Sequence, residues 1–234
     1  GVPVLFVTYR LCCRYHRCFC QRQQRIGVRT PNGSSTRVCH LPTPVFPAFG
    51  VRLWNLLKPV GITMLNHLHG TPDEVYFQTR YAVLREPLGM PLGSERLSDD
   101  GQAVHAWVQD GDEVVAVGRA HIIPNESDGS GADHKGPGAA PIPAFGPLAE
   151  RSCERPAFQI RQMGTLPSHQ RRGYAALVLG ELERLMVSEH GCKTGLLQAR
   201  EHAIPFYKSQ GWSLIDEPYS IGVIGPHRSM MKEF

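Results

Sequence analysis

The chain has 234 residues, of which 41% are hydrophobic and 20% charged, and its formal net charge is +4. This length suits one domain, or one domain with an appendage; the composition is that of a soluble globular protein, and no apolar run is long enough to cross a membrane. Charge is unevenly distributed, because residues 1–72 contain nine Arg or Lys and no Asp or Glu, whereas the remainder has a net charge of −5. The basic character belongs to the N-terminal part and gives no reason to expect nucleic-acid binding by the rest.

Residues 1–60 differ in composition from the rest, being rich in Arg and Cys and then in Pro, without a helical or strand period. A zinc site is one interpretation, but the paired Cys-x2-Cys spacing that marks such sites is missing. Its candidate ligands would be Cys12, Cys13, His16, Cys18, Cys20, Cys39 and His40. A basic transit peptide is a second interpretation, which the clustered cysteines and prolines fit poorly. A basic nucleic-acid-binding module is a third, and salt-dependent binding by the full chain would support it.

We favour a disordered or non-native extension for residues 1–60. The chain begins with Gly1, the first methionine is Met64, and a recognisable domain begins just after it. We therefore place the folded domain at residues 64–234.

Within that domain, hydrophobic periodicity and turn residues predict a series of helices and strands. In chain order these are a helix from the capping box Thr71-Pro72-Asp73-Glu74 to about Arg85, strands at 103–109 and 113–123 around the turn Asp110-Gly111, a long mobile loop at 125–150, a strand at 157–166, a helix at 172–190, a strand at 194–199, a short helix at 201–210, and strands at 212–216 and 227–232. This order predicts an α/β fold with a mixed sheet and helices packed on it.

The segment Gln170-Arg171-Arg172-Gly173-Tyr174-Ala175 joins a predicted strand to the start of the next helix. Free backbone N–H groups and the positive end of the helix dipole meet at such a start, which favours an anion. Gly173 lets a ligand approach the backbone closely, and the two arginines add positive charge. The segment therefore predicts a site for a phosphate-bearing ligand.

The same segment resembles the Q/R-x-x-G-x-G/A motif of the GNAT N-acetyltransferase superfamily, with Ala175 at its last position. Residues 198–212 resemble the second signature of that family, A-R-x-x-A-x-x-F-Y-x-x-x-G-F. Residues 226–230 resemble the closing H-x-x-M strand of its small bacterial single-domain members, and residues 81–89 resemble their first helix. The resemblance covers residues 64–234.

The resemblance implies the GNAT fold, a mostly antiparallel central sheet with one splayed parallel pair of strands and flanking helices. It also implies a cytoplasmic enzyme that uses acetyl-CoA and no metal. The acetyl group would pass to a primary amine by direct attack in a ternary complex. Backbone amides of the segment described above would hold the pyrophosphate, and the end of the preceding strand would lie beside the thioester. The implied cofactor-binding residues are Met163, Gly164, Thr165, Gln170, Arg171, Arg172, Gly173, Tyr174 and Ala175.

Tyr207 occupies the F-Y position of the second signature and is the implied general acid, whose phenol would protonate the leaving thiolate. The other interpretation is a core aromatic residue. His227 is the candidate general base, since its ordinary pKa suits that role. A water chain is an alternative, and the other candidate side chains are His121, Glu86, Asp99 and Asp100. We expect Cys192 to be a small buried residue and not a nucleophile.

The partner would be a small-molecule or peptide amine, and a homodimer is possible by analogy with relatives. The acceptor pocket would be built from the first helix and from loops at 87–100 and 125–150, so the resemblance does not identify the amine. A non-catalytic acyl-CoA-binding sensor with the same fold is the alternative function.

Overall fold

The computed structural model of the protein describes residues 63–134 and 139–234. The predictions for residues 1–60 lie outside this part of the chain. Ten strands and four α-helices form the described part. The strands are β1 Thr63–His69, β2 Val104–Asp110, β3 Glu113–Ile123, β4 Gly131–Ala132, β5 Pro141–Ile142, β6 Ala157–Thr165, β7 Thr194–Arg200, β8 Ser213–Leu214, β9 Tyr219–Ile221 and β10 Gly225–Glu233. The helices are α1 Glu74–Leu84, α2 Gly146–Ala149, α3 Tyr174–Ser188 and α4 Ile204–Ser209.

The central sheet has eight strands in the order β1-β2-β3-β6-β7-β10-β8, with β9 paired to β10 outside this path. Its neighbouring strands are antiparallel, except that β6 and β7 are parallel. Strands β4 and β5 form a small separate sheet. The prediction of a mixed, mostly antiparallel sheet with one parallel pair and flanking helices is confirmed.

Helices α1 and α3 cover opposite faces of the sheet. Tyr76 and Phe77 of α1 pack with Val117 of β3, whereas α3 packs into the largest apolar cluster together with Ala120 of the same strand. Residues an odd number of positions apart on a strand point to opposite faces, so the two helices enclose the sheet between them. The predicted apolar stripe of α3 is buried at Val178, Leu182 and Leu185, and Leu179 and Met186 extend it.

The parallel pair diverges after a few residues. Strands β6 and β7 are paired from Ala157 opposite Thr194 only as far as Ile160 opposite Leu197. Beyond that point β6 remains paired with β3 and β7 remains paired with β10, so a wedge opens between the two strands. The second half of β6 therefore has one edge without a strand partner.

A β-bulge in β6 lies where the strands diverge. The register between β3 and β6 shifts between Val117 and Arg119, and Gln162 has a φ of 55°. Such a bulge bends a strand and redirects its side chains. The glycine on the partner strand is required here, since a Cβ at Gly118 would lie 2.3 Å from the sulfur of Met163.

Two features at the beginning of the domain differ from the predictions. Helix α1 is capped by Asp73, whose side chain accepts a hydrogen bond from the backbone N–H of Tyr76 at 3.1 Å, so the predicted capping box at Thr71 is wrong. Strand β1 was not predicted. It is a mostly exposed edge strand without alternating burial, and it therefore lacks the period-two pattern that identifies strands.

The predicted long loop at 125–150 contains short regular elements. Strands β4 and β5 and helix α2 lie within it, and Phe145 and Leu148 are buried in an apolar cluster. Its glycine content partly reflects close packing, because a Cβ at Gly129 would lie 2.5 Å from the ring of Phe145. The segment thus contributes to the folded core on both sides of residues 135–138, which are not described.

Candidate active site

The wedge between β6 and β7 leads into a cavity of about 670 Å³. Its walls come from the end of α1, the start of α3, both diverging strands and α4. Ten of the eleven residues predicted for the site line it, and the exception is Arg172. The ten are Met163, Gly164, Thr165, Gln170, Arg171, Gly173, Tyr174, Ala175, Tyr207 and His227. The chain thus brings residues from four separate elements into one space.

The start of α3 presents a row of free backbone donors. Within the described residues, none of the backbone N–H groups at 171–175 donates a hydrogen bond, whereas those of Ala176 and Leu177 bond to the carbonyl of Gly173. Arg171 and Gly173 have φ values of 63° and 85°, so the chain turns sharply just before the helix. Successive N–H groups in such a turn form a concave anion site, which the helix dipole strengthens.

The Arg172 side chain does not line the cavity. Its guanidinium donates to the carbonyl of Ser168 at 3.1 Å and lies 3.9 Å from Asp110. The Tyr174 hydroxyl also donates to Asp110, at 3.2 Å, and His169 lies 3.8 Å from the same carboxylate. Asp110, at the end of β2, therefore anchors the turn that carries the donors. This anchoring role was missed in the sequence because Asp110 is far from the motif along the chain and was interpreted only as a turn residue.

The end of β6 supplies the three residues predicted to lie beside the thioester. Helix α1 leaves no room for a side chain at Gly164. A Cβ there would lie 2.4 Å from Cγ2 of Val83. The Met163 side chain packs into the core below α3. The Thr165 hydroxyl is buried without a hydrogen-bond partner among the described residues, although the residue lines the cavity. A buried hydroxyl without a partner favours a ligand that hydrogen-bonds to it.

Tyr207 lies on α4 with its ring in the core and one side on the cavity. It is 8% exposed, and its ring packs against Phe206 and Trp212 at centroid distances of 5.0 and 6.4 Å. The ring is a core aromatic and the residue also lines the cavity, so its position does not decide between the two interpretations from the sequence. Burial raises the pKa of the phenol above its ordinary value, so the group is protonated and able to donate near neutral pH.

His227 is buried at the start of β10, opposite Arg200 of β7. Its Nδ1 lies 2.8 Å from the carbonyl oxygen of Gly225, so the neutral ring carries its proton on Nδ1 and leaves Nε2 as an acceptor. Burial lowers the pKa of His227, the hydrogen bond to the Gly225 carbonyl opposes this shift, and the nearby Arg200 and His202 side chains lower the pKa further. A neutral imidazole with a free acceptor nitrogen is suited to accept a proton.

The four other side chains considered as the general base lie in different environments from that of His227. Asp99 forms a two-pronged ion pair with Arg119, at 2.7 and 2.9 Å, and Asp100 is buried in an ion pair with Arg80. His121 lines a second cavity of about 410 Å³, where burial lowers its pKa to about 3, and Glu86 is exposed. None of the four lines the larger cavity.

Cys192 is buried, and burial raises the pKa of its thiol to about 11, which disfavours the nucleophilic thiolate. Within the described parts of the chain, no three His, Cys, Asp or Glu residues are grouped to hold a metal ion. No helix in those same parts is both long and apolar enough to span a membrane.

Basic side chains at the far end of the cavity were not predicted. Arg85 from the end of α1, Arg161 from β6 and Arg200 from β7 line it, together with Asp133 from the segment between β3 and β6. These residues lie far apart in the sequence and meet only in the fold. The single available signal was the position of Arg200 within the second signature, which we interpreted as a family feature and not as a site residue.

A splayed parallel pair of strands followed by a helix with free N-terminal amides is the arrangement that the resemblance to GNAT N-acyltransferases predicts. The sequence profile of the acetyltransferase (GNAT) family matches residues 62–212, and the chain belongs to this family. The protein is therefore an acyltransferase of a family that uses acetyl-CoA as its cosubstrate.

Individual relatives agree with this assignment. YjcF from Bacillus subtilis (strain 168), an uncharacterized N-acetyltransferase, is 26% identical over 157 residues, which are 67% of this chain and 89% of that protein. The crystal structure of Escherichia coli ElaA aligns with a TM-score of 0.54 at 18% identity, covering 74% of this chain and all of that one. An acyl-CoA N-acyltransferase from Pseudomonas aeruginosa aligns with a TM-score of 0.52 at 12% identity, covering 73% and 99% of the two chains. At these identities the structures establish the fold.

Proposed function

We propose that the protein transfers the acetyl group of acetyl-CoA to a primary amine by direct attack in a ternary complex. One observation carries the proposal: a single cavity joins the free amides at the start of α3 to Tyr207 and His227. A cosubstrate held by its diphosphate at the first position would extend along the wedge toward these two titratable side chains.

The residues present fit acetyl-CoA. A diphosphate needs several converging donors, and the five N–H groups at 171–175 supply them, with the Arg171 guanidinium beside them. The pantetheine arm carries amides, which would pair with the free edge of β6 and with the Thr165 hydroxyl. The Arg172 side chain faces Asp110, so Arg172 contributes to this site only through its backbone N–H group.

Proton transfers on both sides of the thioester complete the reaction. Nε2 of His227 takes a proton from the ammonium form of the acceptor, directly or through a water molecule, and the free amine attacks the thioester carbonyl. A backbone N–H near Met163 stabilises the oxyanion. The C–S bond then breaks and the Tyr207 hydroxyl protonates the departing thiolate. The attacking nitrogen releases its second proton, which restores the Tyr207 phenol through solvent, and His227 returns its proton to solvent. The products are an N-acetylated amine, coenzyme A and one proton.

Incubating the full chain with acetyl-CoA and a panel of amines tests the reaction. The panel comprises amino acids, polyamines, aminoglycosides and peptides. We expect equal amounts of free thiol and N-acetylated product, the first from a thiol-reactive dye and the second from mass spectrometry. Coenzyme A binding without acetylation of any amine would favour the acyl-CoA sensor instead.

Replacing Tyr207 by phenylalanine tests the general acid. Removing the hydroxyl should lower kcat about a hundredfold while leaving coenzyme A affinity unchanged, because the phenol acts on the leaving group and not on the bound diphosphate. Tyr219→Phe is the matched control, since its hydroxyl lies 2.9 Å from that of Ser229 and Tyr219 does not line the cavity. Equal kcat values for both variants would remove Tyr207 from the mechanism.

A further inference from the structure

Three arginines line the end of the cavity away from the start of α3. Arg85, Arg161 and Arg200 all line it, and Arg85 is only 2% exposed. Arg85 lies close enough to each of the other two to interact with its charge. Burial lowers the pKa of Arg85, with Arg200 among the cations that lower it further, and Arg85 in turn helps to lower the pKa of Arg161. Concentrating like charges in a buried site is unfavourable unless an anion binds there.

The protein itself offsets this charge only in part. Asp133 is the one carboxylate among the described residues that line this cavity, and it lies 3.9 Å from Arg85. Its other oxygen already accepts from His134 at 2.9 Å and from the backbone N–H of Ala140 at 2.7 Å. Within the cavity the three arginines therefore share one carboxylate that is mostly committed elsewhere. Outside it, Glu95 offsets part of the charge of Arg85, and Asp99 offsets part of that of Arg161.

Donors at this end also lack partners. The Nε atom of Arg85 is buried without a hydrogen-bond partner, while its other nitrogens contact the Asp133 carbonyl, the Gln162 amide oxygen and the Met90 sulfur. The Arg200 side chain makes no hydrogen bond to any described residue, and burial alone lowers its pKa. The half-buried Arg200 guanidinium, with its free donors, is suited to a planar oxyanion, which it can bind through two parallel hydrogen bonds.

We propose that the acceptor is a small amine bearing a carboxylate, held at Arg85 and Arg200 while its amino group reaches the thioester. This inference rests on the proposed function. Arg200 lies opposite His227 in the strand register, so an anion bound there lies beside the candidate base. Polyamines and aminoglycosides would add positive charge to a site that already holds three arginines, and the site discriminates against them.

Matched pairs of acceptors test the inference on the full, unaltered chain. Each amino carboxylate of a glycine, β-alanine and γ-aminobutyrate series is compared with its amide, and putrescine and phosphoethanolamine serve as a cationic and a phosphate-bearing amine. We expect kcat/KM to fall about ten- to hundredfold from carboxylate to amide, as expected for a lost charge-assisted hydrogen bond. The loss should appear in the KM of the acceptor and not in that of acetyl-CoA.

Arg200→Gln should abolish the preference for the carboxylate, while coenzyme A binding by calorimetry confirms that the variant is folded. Arg184→Gln is the control, because Arg184 is 52% exposed on α3 and pairs only with Glu181 among the described residues. Equal rates for acids and amides, or a preference for putrescine or phosphoethanolamine, would overturn the inference and leave acetyl transfer standing. Coenzyme A binding without acetylation of any amine would instead overturn the proposed function, and the inference with it.

Discussion

Replacing Gly164 by alanine separates two explanations for a glycine beside the thioester. One explanation is that the missing side chain leaves room for the cosubstrate. The structure instead directs that position toward α1, where a Cβ would lie 2.4 Å from Cγ2 and 3.1 Å from Cβ of Val83, and 3.3 Å from Cδ2 of Leu84. The packing explanation predicts a loss of stability, whereas the earlier one predicts weaker binding of acetyl-CoA.

The size of the effect follows from these distances. Carbon atoms in contact lie about 3.5–4.0 Å apart. The methyl group added by Gly164→Ala and the Val83 side chain would therefore have to move apart by about 1 Å. Valine has one strongly preferred rotamer in a helix, so the adjustment requires movement of α1 against β6. Such overpacking costs about 1–3 kcal/mol, partly offset by about 0.4–1 kcal/mol from the lower entropy of the unfolded alanine chain. We expect a net destabilisation of about 1–2 kcal/mol.

Urea unfolding of a double-mutant cycle measures this contact. Val83→Ala removes both methyl groups, so the loss in the double variant should be smaller than the sum of the single losses by about 1 kcal/mol or more. Gly180→Ala is the control, because nothing lies within 4 Å of that position on α3, and alanine there should stabilise the helix by up to about 1 kcal/mol. A Gly164→Ala variant of normal stability with a raised KM for acetyl-CoA would refute the packing argument.

Three further predictions concern the cosubstrate site, the base and the core. Gly173→Ala should weaken coenzyme A binding in calorimetry, because its φ of 85° costs a residue with a side chain about 1–2 kcal/mol, and an unchanged Kd would mean that the diphosphate binds elsewhere. The lowered pKa of His227 should keep kcat/KM, expressed for the ammonium form of the amine, constant as pH falls until below 6.5, the ordinary value for histidine; the decline should disappear in His227→Gln. Asp100→Asn should lower the free energy of unfolding in urea by about 3–5 kcal/mol. It removes the carboxylate whose Oδ1 lies 3.0 Å from the buried Arg80 guanidinium and 3.4 Å from that of Arg119. A loss below about 1 kcal/mol would contradict this.

Elements that carry strong local signals were predictable. Strands β3 and β6 and helix α3 lie within a few residues of their predicted bounds, because alternation, turn residues and an apolar stripe act over short distances. The free start of α3 was also predictable, since it is encoded in six consecutive residues. Strand β1 was not, because its position depends on hydrogen bonds to β2, about 40 residues away, and not on its own pattern.

The end of the cavity that carries the three arginines could not be predicted from the sequence either. Its charge comes from arginines on α1, β6 and β7, and each of them, taken alone in the sequence, looks like an ordinary exposed cation. Only the divergence of the two strands and the bulge at Gln162 bring them together. Composition was misleading for the segment at 125–150, where glycine and proline suggested a loop although Phe145 is fully buried.

That segment also explains why the two ends of the cavity differ in how well they could be predicted. The Asp133 carbonyl accepts from Arg85 at 3.1 Å and from Arg161 at 3.3 Å, and the Ala132 carbonyl accepts from Arg161 at 2.8 Å. Backbone atoms of this segment thus orient two of the three arginines. The amides proposed to hold the diphosphate lie at the start of α3, and the segment does not contact them through any hydrogen bond among the described residues. Changes in the segment would therefore alter which amine is accepted without altering how acetyl-CoA is held. A common cosubstrate site and a variable acceptor site can coexist in one fold because different parts of the chain build them.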